Sequence, residues 1–202
     1  MAAPGMLTVM GDATAGEGTA PEERAETPAA RLARFLRGLP APLVAVDALV
    51  RDDRRRLLIV DPVYKPGWDI VGGFVEAEED LPTALAREAE EELGLRGLRT
   101  GRLLAVDNLS AAAYGRSLLV FIFAAHPGRP VRAEELVLQS SEIAAAEFVG
   151  EETALARFPE PLRRRVAASL EAEREDRTVY LRDGLPLPPH GTEVTRPTHR
   201  RA

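Results

Sequence analysis

Between Gly73 and Leu95 the chain spaces glycine, arginine and acidic residues in a way that few local structures can satisfy. Gly73 is followed after five residues by Glu79, and after seven more by Arg87-Glu88-Ala89-Glu90-Glu91-Glu92-Leu93-Gly94-Leu95. Leu81 to Leu93 has helical periodicity and few β-branched residues. Asp80 suits the N-cap, Pro82 is tolerated in the first turn, and Gly94 suits the stop. On a helical wheel Leu81, Ala84, Leu85, Glu88, Glu91 and Glu92 fall in one sector, so three carboxylates are expected to continue the apolar face. Glu90 points away from them and is expected in solvent.

Such an arrangement is unfavourable on its own. Glu88, Glu91 and Glu92 converge at i, i+3 and i+4, where like charges repel by a few tenths of a kcal/mol per pair. They also crowd the last turns of the helix, where the macrodipole disfavours negative charge. A cation is the natural compensation, and Mg²⁺ fits best because it takes carboxylate oxygens and leaves positions for water and phosphate. A merely solvated acidic face is the competing reading, in a chain with 29% charged residues. Seven fixed identities, each at a background near 0.1, coincide on the order of 10⁻⁷ per window, which favours the metal site.

The pattern resembles the Nudix box, G-x5-E-x7-R-E-U-x-E-E-x-G-U with U aliphatic, at every fixed position. The resemblance implies an α/β fold, a mixed β-sheet sandwiched between helices (α/β/α). It also implies a Mg²⁺-dependent hydrolase, with Mn²⁺ as a substitute, that cleaves a nucleoside diphosphate linked to a moiety X by water attack at phosphorus. Carried over position by position, Glu88, Glu91 and Glu92 are the metal ligands, and the Gly72 carbonyl is an additional one. Arg87 orients the glutamates by pairing with Glu79 or Glu91. The general base comes either from the box helix or from a later loop, where Glu142 in Ser140-Ser141-Glu142-Ile143 is the matching position; a plain surface carboxylate is the alternative there. Two details depart from the family: Val71 stands where a proline usually precedes the two glycines, and Ala89 fills a slot that is often bulkier. The runner-up reading is a catalytically silent Nudix-like domain that binds or senses a nucleotide. Eroded boxes are common in such sensors, and this box is intact.

Substrate recognition is less legible. Tyr64 and Trp68 are candidates to stack on a base and Lys65 to touch a phosphate; the alternative puts Trp68 in the core and Lys65 in solvent. Arg116 is a further candidate contact. ADP-ribose hydrolases of this family tend to carry a proline beyond the box, where this chain has Ser110 and Ala111, and the tyrosine of dinucleoside polyphosphate hydrolases is only approximated by Tyr114.

Around the box, residues 1–39 read as a disordered leader with a short helix over Ala30 to Leu39, residues 40–185 as the Nudix domain, and residues 186–202 as a flexible tail. Met6 or Met10 are alternative starts. Strands are expected over Leu43 to Val50, Leu57 to Val63, Leu103 to Asp107, Ser117 to Ala125, Ala144 to Val149 and Thr178 to Leu181. Leu155 to Arg174 reads as helical, broken early by Pro159 and Pro161. With 202 residues, 45% of them hydrophobic, one domain with a real core is expected. A net charge of −6 and no basic, aromatic-interleaved patch argue against a nucleic-acid partner. The chain has no cysteine, which excludes disulfides and thiolate chemistry. Without a signal-like start or a membrane span, a cytoplasmic location is expected, with a small nucleotide as partner. Dimers are common among proteins of this resemblance, so a homodimer is an open expectation.

Overall fold

A computed structural model describes residues 26–112 and 115–187. Tyr114, the leader up to residue 25 and the tail beyond residue 187 lie outside the described residues. The chain divides between Pro40 and Ala41 into two units. In the first, helix α1 runs over Pro28–Arg37, with Thr27 as N-cap accepting from the Ala30 N–H and Pro28 opening the helix.

The second unit begins with β1 (Leu43–Val50), β2 (Leu57–Pro62) and β3 (Val71–Phe74), then α2 (Leu81–Leu93). There follow β4 (Arg99–Leu109), β5 (Leu118–His126), β6 (Ile143–Val149), α3 (Glu151–Arg157), α4 (Leu162–Arg174), β7 (Val179–Arg182) and β8 (Leu185–Pro186). A six-stranded mixed sheet has the order β3-β1-β5-β4-β7-β8, and β2 pairs antiparallel with β6 in a second, two-stranded sheet. In the six-stranded sheet, β1 runs parallel to β5 and antiparallel to β3, and β4 is antiparallel to β5 and parallel to β7.

The two faces of β1 show why its sequence is almost wholly apolar. Ala45 and Leu49 join the core under α3 and α4 with Val120, Ile122, Val166 and Leu170. Val46, Ala48 and Val50 join the core under α2 with Val71, Leu85, Ala89 and Leu93. A strand covered on both sides cannot alternate apolar with polar. This is the α/β/α sandwich expected from the sequence.

Helix α2 has the expected limits: Asp80 caps it through the Thr83 N–H, and Gly94 closes it in the left-handed region at φ 62°. Its buried face differs from the wheel by a rotation of roughly 50° toward Ala89 and Leu93. Ala89 is fully buried, whereas the Glu91 side chain is 54% exposed. The small Ala89 lets the helix settle on that side, which leaves Glu91 at the rim. Strand β4 is longer than its apolar stretch suggested, because Arg99 and Thr100 also pair with β5, across an irregularity at Gly101 and Arg102. The segment read as one proline-broken helix is two helices, α3 and α4, separated at Phe158–Pro161 with a cis Glu160–Pro161 bond.

Candidate active site

The site is assembled where α2 crosses the glycine strand β3. Gly72 and Gly73 pair with Asp47 and Val46 of β1, so they belong to the sheet itself. Their lack of side chains is what permits the close approaches here. A Cβ on Gly73 would stand 2.3 Å from Glu88 Oε1, and one on Gly72 would stand 2.2 Å from the Val46 carbonyl and 2.6 Å from Asp47 Oδ1. The Glu88 carboxylate thus lies directly on the backbone of Gly73.

Arg87 organises the acidic side chains. Its Nε and Nη2 donate to the two oxygens of Glu79, at 3.0 Å each, a bidentate pair. Nη2 also donates to the Phe74 carbonyl at 3.0 Å. Nη1 donates to Glu88 Oε1 at 2.8 Å and Glu91 Oε2 at 3.1 Å. All five N–H groups of the guanidinium are therefore used. The sequence offered Glu79 or Glu91 as its partner; both are, together with Glu88. The Glu79 bond and then those to Glu88 and Glu91 raise the Arg87 pKa, and the Arg87 bond in turn lowers that of Glu79. Glu88 is pushed up by burial, with Arg87 opposing.

Glu92 has no such partner. Only 5% exposed, it carries the one buried side-chain oxygen without a hydrogen bond among the described residues, Oε2. Burial pushes its pKa up to about 8, the charges of Glu88, Asp69 and Glu142 add to this, and the Gly72 N–H works against it. An ionised carboxylate so placed costs free energy unless a cation joins it. Among the described residues no three His, Cys, Asp or Glu side chains converge as a ready-made metal centre, since Arg87 occupies Glu88 and Glu91. The donor set nevertheless fits a hard divalent cation, with an orphaned buried carboxylate oxygen, a second carboxylate against it and glycine backbone alongside. Glu90 faces outward and pairs with Arg96 at 2.7 Å.

Glu142 is brought to the same place by backbone bonds. The Gln139 N–H donates to the Glu92 carbonyl and the Val137 N–H to the Leu93 carbonyl, both at 2.9 Å, so the loop closes the open end of α2. Gln139 Nε2 then donates to Glu142 Oε1 at 3.1 Å, and the Val63 N–H to the Glu142 carbonyl at 2.8 Å.

On the far side of that contact lies the segment from Tyr64 to Asp69. Tyr64 is 65% exposed, within electrostatic reach of Glu92 and Glu142. Lys65 sits 5.5 Å from the Tyr64 ring centre and forms an ion pair with Asp69. Trp68 packs against the core under α3 and α4, and Arg157 lies 5.0 Å over its ring while donating to Glu147 at 2.7 Å. Arg116 donates to the Ala41 carbonyl at 2.7 Å, at the end of the sheet. Ala41 precedes Asp47 by six residues, so Arg116 stands about 20 Å along the strand from the glycines.

Two acidic residues were not singled out in the sequence. Asp47 interrupts the apolar β1 and points to the α4 face, 3.7 Å from Arg165 Nη1; burial pushes its pKa up to about 7. Asp69 bridges β2 through reciprocal backbone bonds with Val60. A lone acid inside an otherwise apolar strand was the available signal, and Asp107 in β4 repeats it. Fully buried, Asp107 accepts from Arg165 Nε at 2.9 Å and from the Gly184 N–H.

Fold and site together define an α/β/α domain that presents a carboxylate-bearing helix beside a glycine strand. The NUDIX domain family model matches residues 41–170, and the chain belongs to the Nudix family of hydrolases. An uncharacterized Nudix hydrolase of Pseudomonas aeruginosa is 36% identical over 104 residues, 50% of this chain and 56% of that protein. The CMP-5'-(N-acetyl-N-hydroxy-3-aminopropyl)phosphonate hydrolase of Streptomyces rubellomurinus is 39% identical over 70 residues, 32% of each. The chain thus spans about half the length of the first of these relatives and a third of the second. Among solved structures, a UDP-X diphosphatase superposes with a TM-score of 0.57 at 20% identity, covering 77% of this chain and 75% of that one. The Nudix domain of Shewanella oneidensis NrtR, complexed with ADP ribose, superposes with 0.56 at 18% identity, covering 74% and 98%. At these identities the likeness establishes the fold.

Proposed function

We propose that residues 40–185 form a Mg²⁺-dependent pyrophosphohydrolase acting on a nucleoside diphosphate linked to a second moiety. The observation that carries this reading is the unpartnered buried oxygen of Glu92 beside Glu88 and the glycine backbone. Glu88, Glu91 and Glu92 would hold the cation together with the Gly72 carbonyl, with Mn²⁺ as a substitute for Mg²⁺. When bound, such a cation polarises phosphoryl oxygens and lowers the pKa of water at the site.

The chain's own residues divide the remaining work. Arg87 keeps Glu88 and Glu91 from drifting apart and anchors both to Glu79 and the β3 carbonyl of Phe74. Glu142, fastened to the end of α2, takes a proton from the attacking water as general base. Water oxygen bonds to phosphorus, the bridging P–O bond breaks, and the products are a nucleoside monophosphate and the phosphorylated second moiety. Tyr64 offers the exposed ring on which a base can stack, and Lys65 beside it a charge for phosphate. Trp68, covered by Arg157, contributes by shaping the wall behind them, and the distance of Arg116 from the glycines restricts it to an extended substrate. Three of the proteins named above carry a CMP, UDP or ADP compound in their descriptions, which supports a nucleotide-derived substrate.

The test is product release with Mg²⁺ over ADP-ribose, nucleotide sugars, dinucleoside polyphosphates, nucleoside triphosphates, NADH and coenzyme A, with Glu92→Gln and Glu142→Gln in parallel. Turnover that chelator abolishes and Glu92→Gln removes is the expected outcome. Turnover indifferent to either would overturn the site assignment. Nucleotide binding without turnover of any substrate would transfer the reading to a sensing domain.

A further inference from the structure

Helix α1 combines an exposed apolar stripe with a purely basic flank. Leu32, Phe35 and Leu36 recur at i, i+3 and i+4 and lie within about 100° of one another on the wheel, and Leu39 follows at i+7, just past the helix end. They are 58%, 62%, 53% and 46% exposed, and no residue of the helix is buried. Arg31, Arg34 and Arg37 occupy the opposite sector. From Thr27 to Val46 there is no acidic residue. Three of the chain's 26 basic residues and none of its 32 acidic ones fall in α1, so a helix of +3 belongs to a chain whose remainder is −9. The acidic contact of its arginines is at the helix start, where Arg34 pairs with Glu26 at 2.9 Å while remaining 69% exposed.

We infer that α1 is a membrane-surface helix that lays its Leu–Phe stripe into an anionic lipid layer. A ten-residue helix is about 15 Å long, far short of a span, and no helix among the described residues is long and apolar enough to cross a membrane. Lying in the interface requires only one apolar face with cationic side chains long enough to reach headgroups, and arginine supplies both stem and charge. The size of the face favours lipid over a soluble partner. A stable protein interface covers about 800 Å² per partner, whereas this face is roughly 15 Å by 10 Å. On an anionic surface the electrostatic attraction of three arginines supplies what so small an apolar area lacks. Phe35 and Leu36 are not among the proposed catalytic residues, so this reading and that of the hydrolase fail separately.

Co-sedimentation of the full-length protein with vesicles tests it, comparing phosphatidylcholine mixed with phosphatidylglycerol against phosphatidylcholine alone. Binding is expected to the mixed vesicles only, to be released by high salt, and to vanish in Phe35→Glu with the thermal midpoint of the domain unchanged. Each of Arg31→Ala and Arg37→Ala should weaken it roughly fivefold. Equal recovery with and without anionic lipid, or binding that survives Phe35→Glu, would overturn the inference. So would absence of vesicle binding together with a Phe35-dependent oligomer, which would place a second copy on the stripe, or with retention on polyglutamate, which would point to an acidic polypeptide.

Discussion

Replacing Glu92 by glutamine should remove hydrolysis and yet stabilise the metal-free protein, and the two effects have one cause. The Glu92 carboxylate is 5% exposed, one oxygen is unpartnered, and its pKa stands at about 8 against 4.5 for an unperturbed glutamate. An acid whose folded-state pKa is raised holds its proton more tightly when folded. Its contribution is therefore fully present below the unfolded pKa and is lost as pH climbs from about 4.5 to about 8. Integrated over that window, ionisation of Glu92 costs the fold about 3 kcal/mol at pH 7 and below about 1 kcal/mol at pH 5. Glutamine keeps the shape without the charge. In chelator at pH 8, Glu92→Gln should unfold at higher denaturant than the wild type by at least about 2 kcal/mol, and the gap should close at pH 5. Saturating Mg²⁺ should narrow it at pH 8 by stabilising only the wild type. Guanidinium titrations at the two pH values, with and without Mg²⁺, measure all of this. A variant no more stable than the wild type at pH 8, or a gap that does not depend on pH, would refute the argument that the orphaned carboxylate is a buried charge waiting for a cation.

Arg87→Lys keeps the charge but not the five-donor fork, so the bidentate Glu79 contact and the Phe74 bond cannot both survive; a loss of about 2 kcal/mol by denaturation, with a larger fall in kcat than in substrate affinity, is expected. Gly73→Ala should fold normally and lose at least about tenfold in turnover, because its Cβ displaces the flexible end of Glu88, 2.3 Å away; normal turnover would separate Glu88 from the chemistry. Asp107→Ala leaves Arg165 buried with only Asp47 at 3.7 Å, and should cost about 3–5 kcal/mol in unfolding free energy. A cost near zero would mean that Arg165 finds water instead.

What the sequence could disclose follows the range of the forces involved. Helix α2 was legible to the residue because its signals are local: an aspartate cap, a proline in the first turn and a left-handed glycine. The β1 limits were legible because both faces are covered and the strand reads as one apolar run. The two-residue β8 was not, because it depends on pairing with β7, as do the first residues of β4 on pairing with β5. At the site, the outward turn of Glu90 followed from helical geometry, but the rim position of Glu91 did not. That depended on how closely α2 could approach the sheet over Ala89, a packing question no wheel can answer. Asp47 and Asp69 were missed for a related reason: the influence of Asp69 on Glu92, and of Asp69 and Glu88 on Asp47, exists only once β1, the segment after β2 and the helix are brought together.

The loop that closes α2 is tied to the helix end by peptide groups, through the N–H of Val137 and of Gln139, while Leu136 and Leu138 pack on the core under α2. Any residue but proline preserves those two anchors. Substitution among Gln139, Ser140, Ser141 and Glu142 can therefore exchange the proposed proton-accepting group, or dispense with it, while the carboxylates of the helix stay where they are. Divergence in this chain's lineage has at that loop a place to experiment with chemistry without risking the fold.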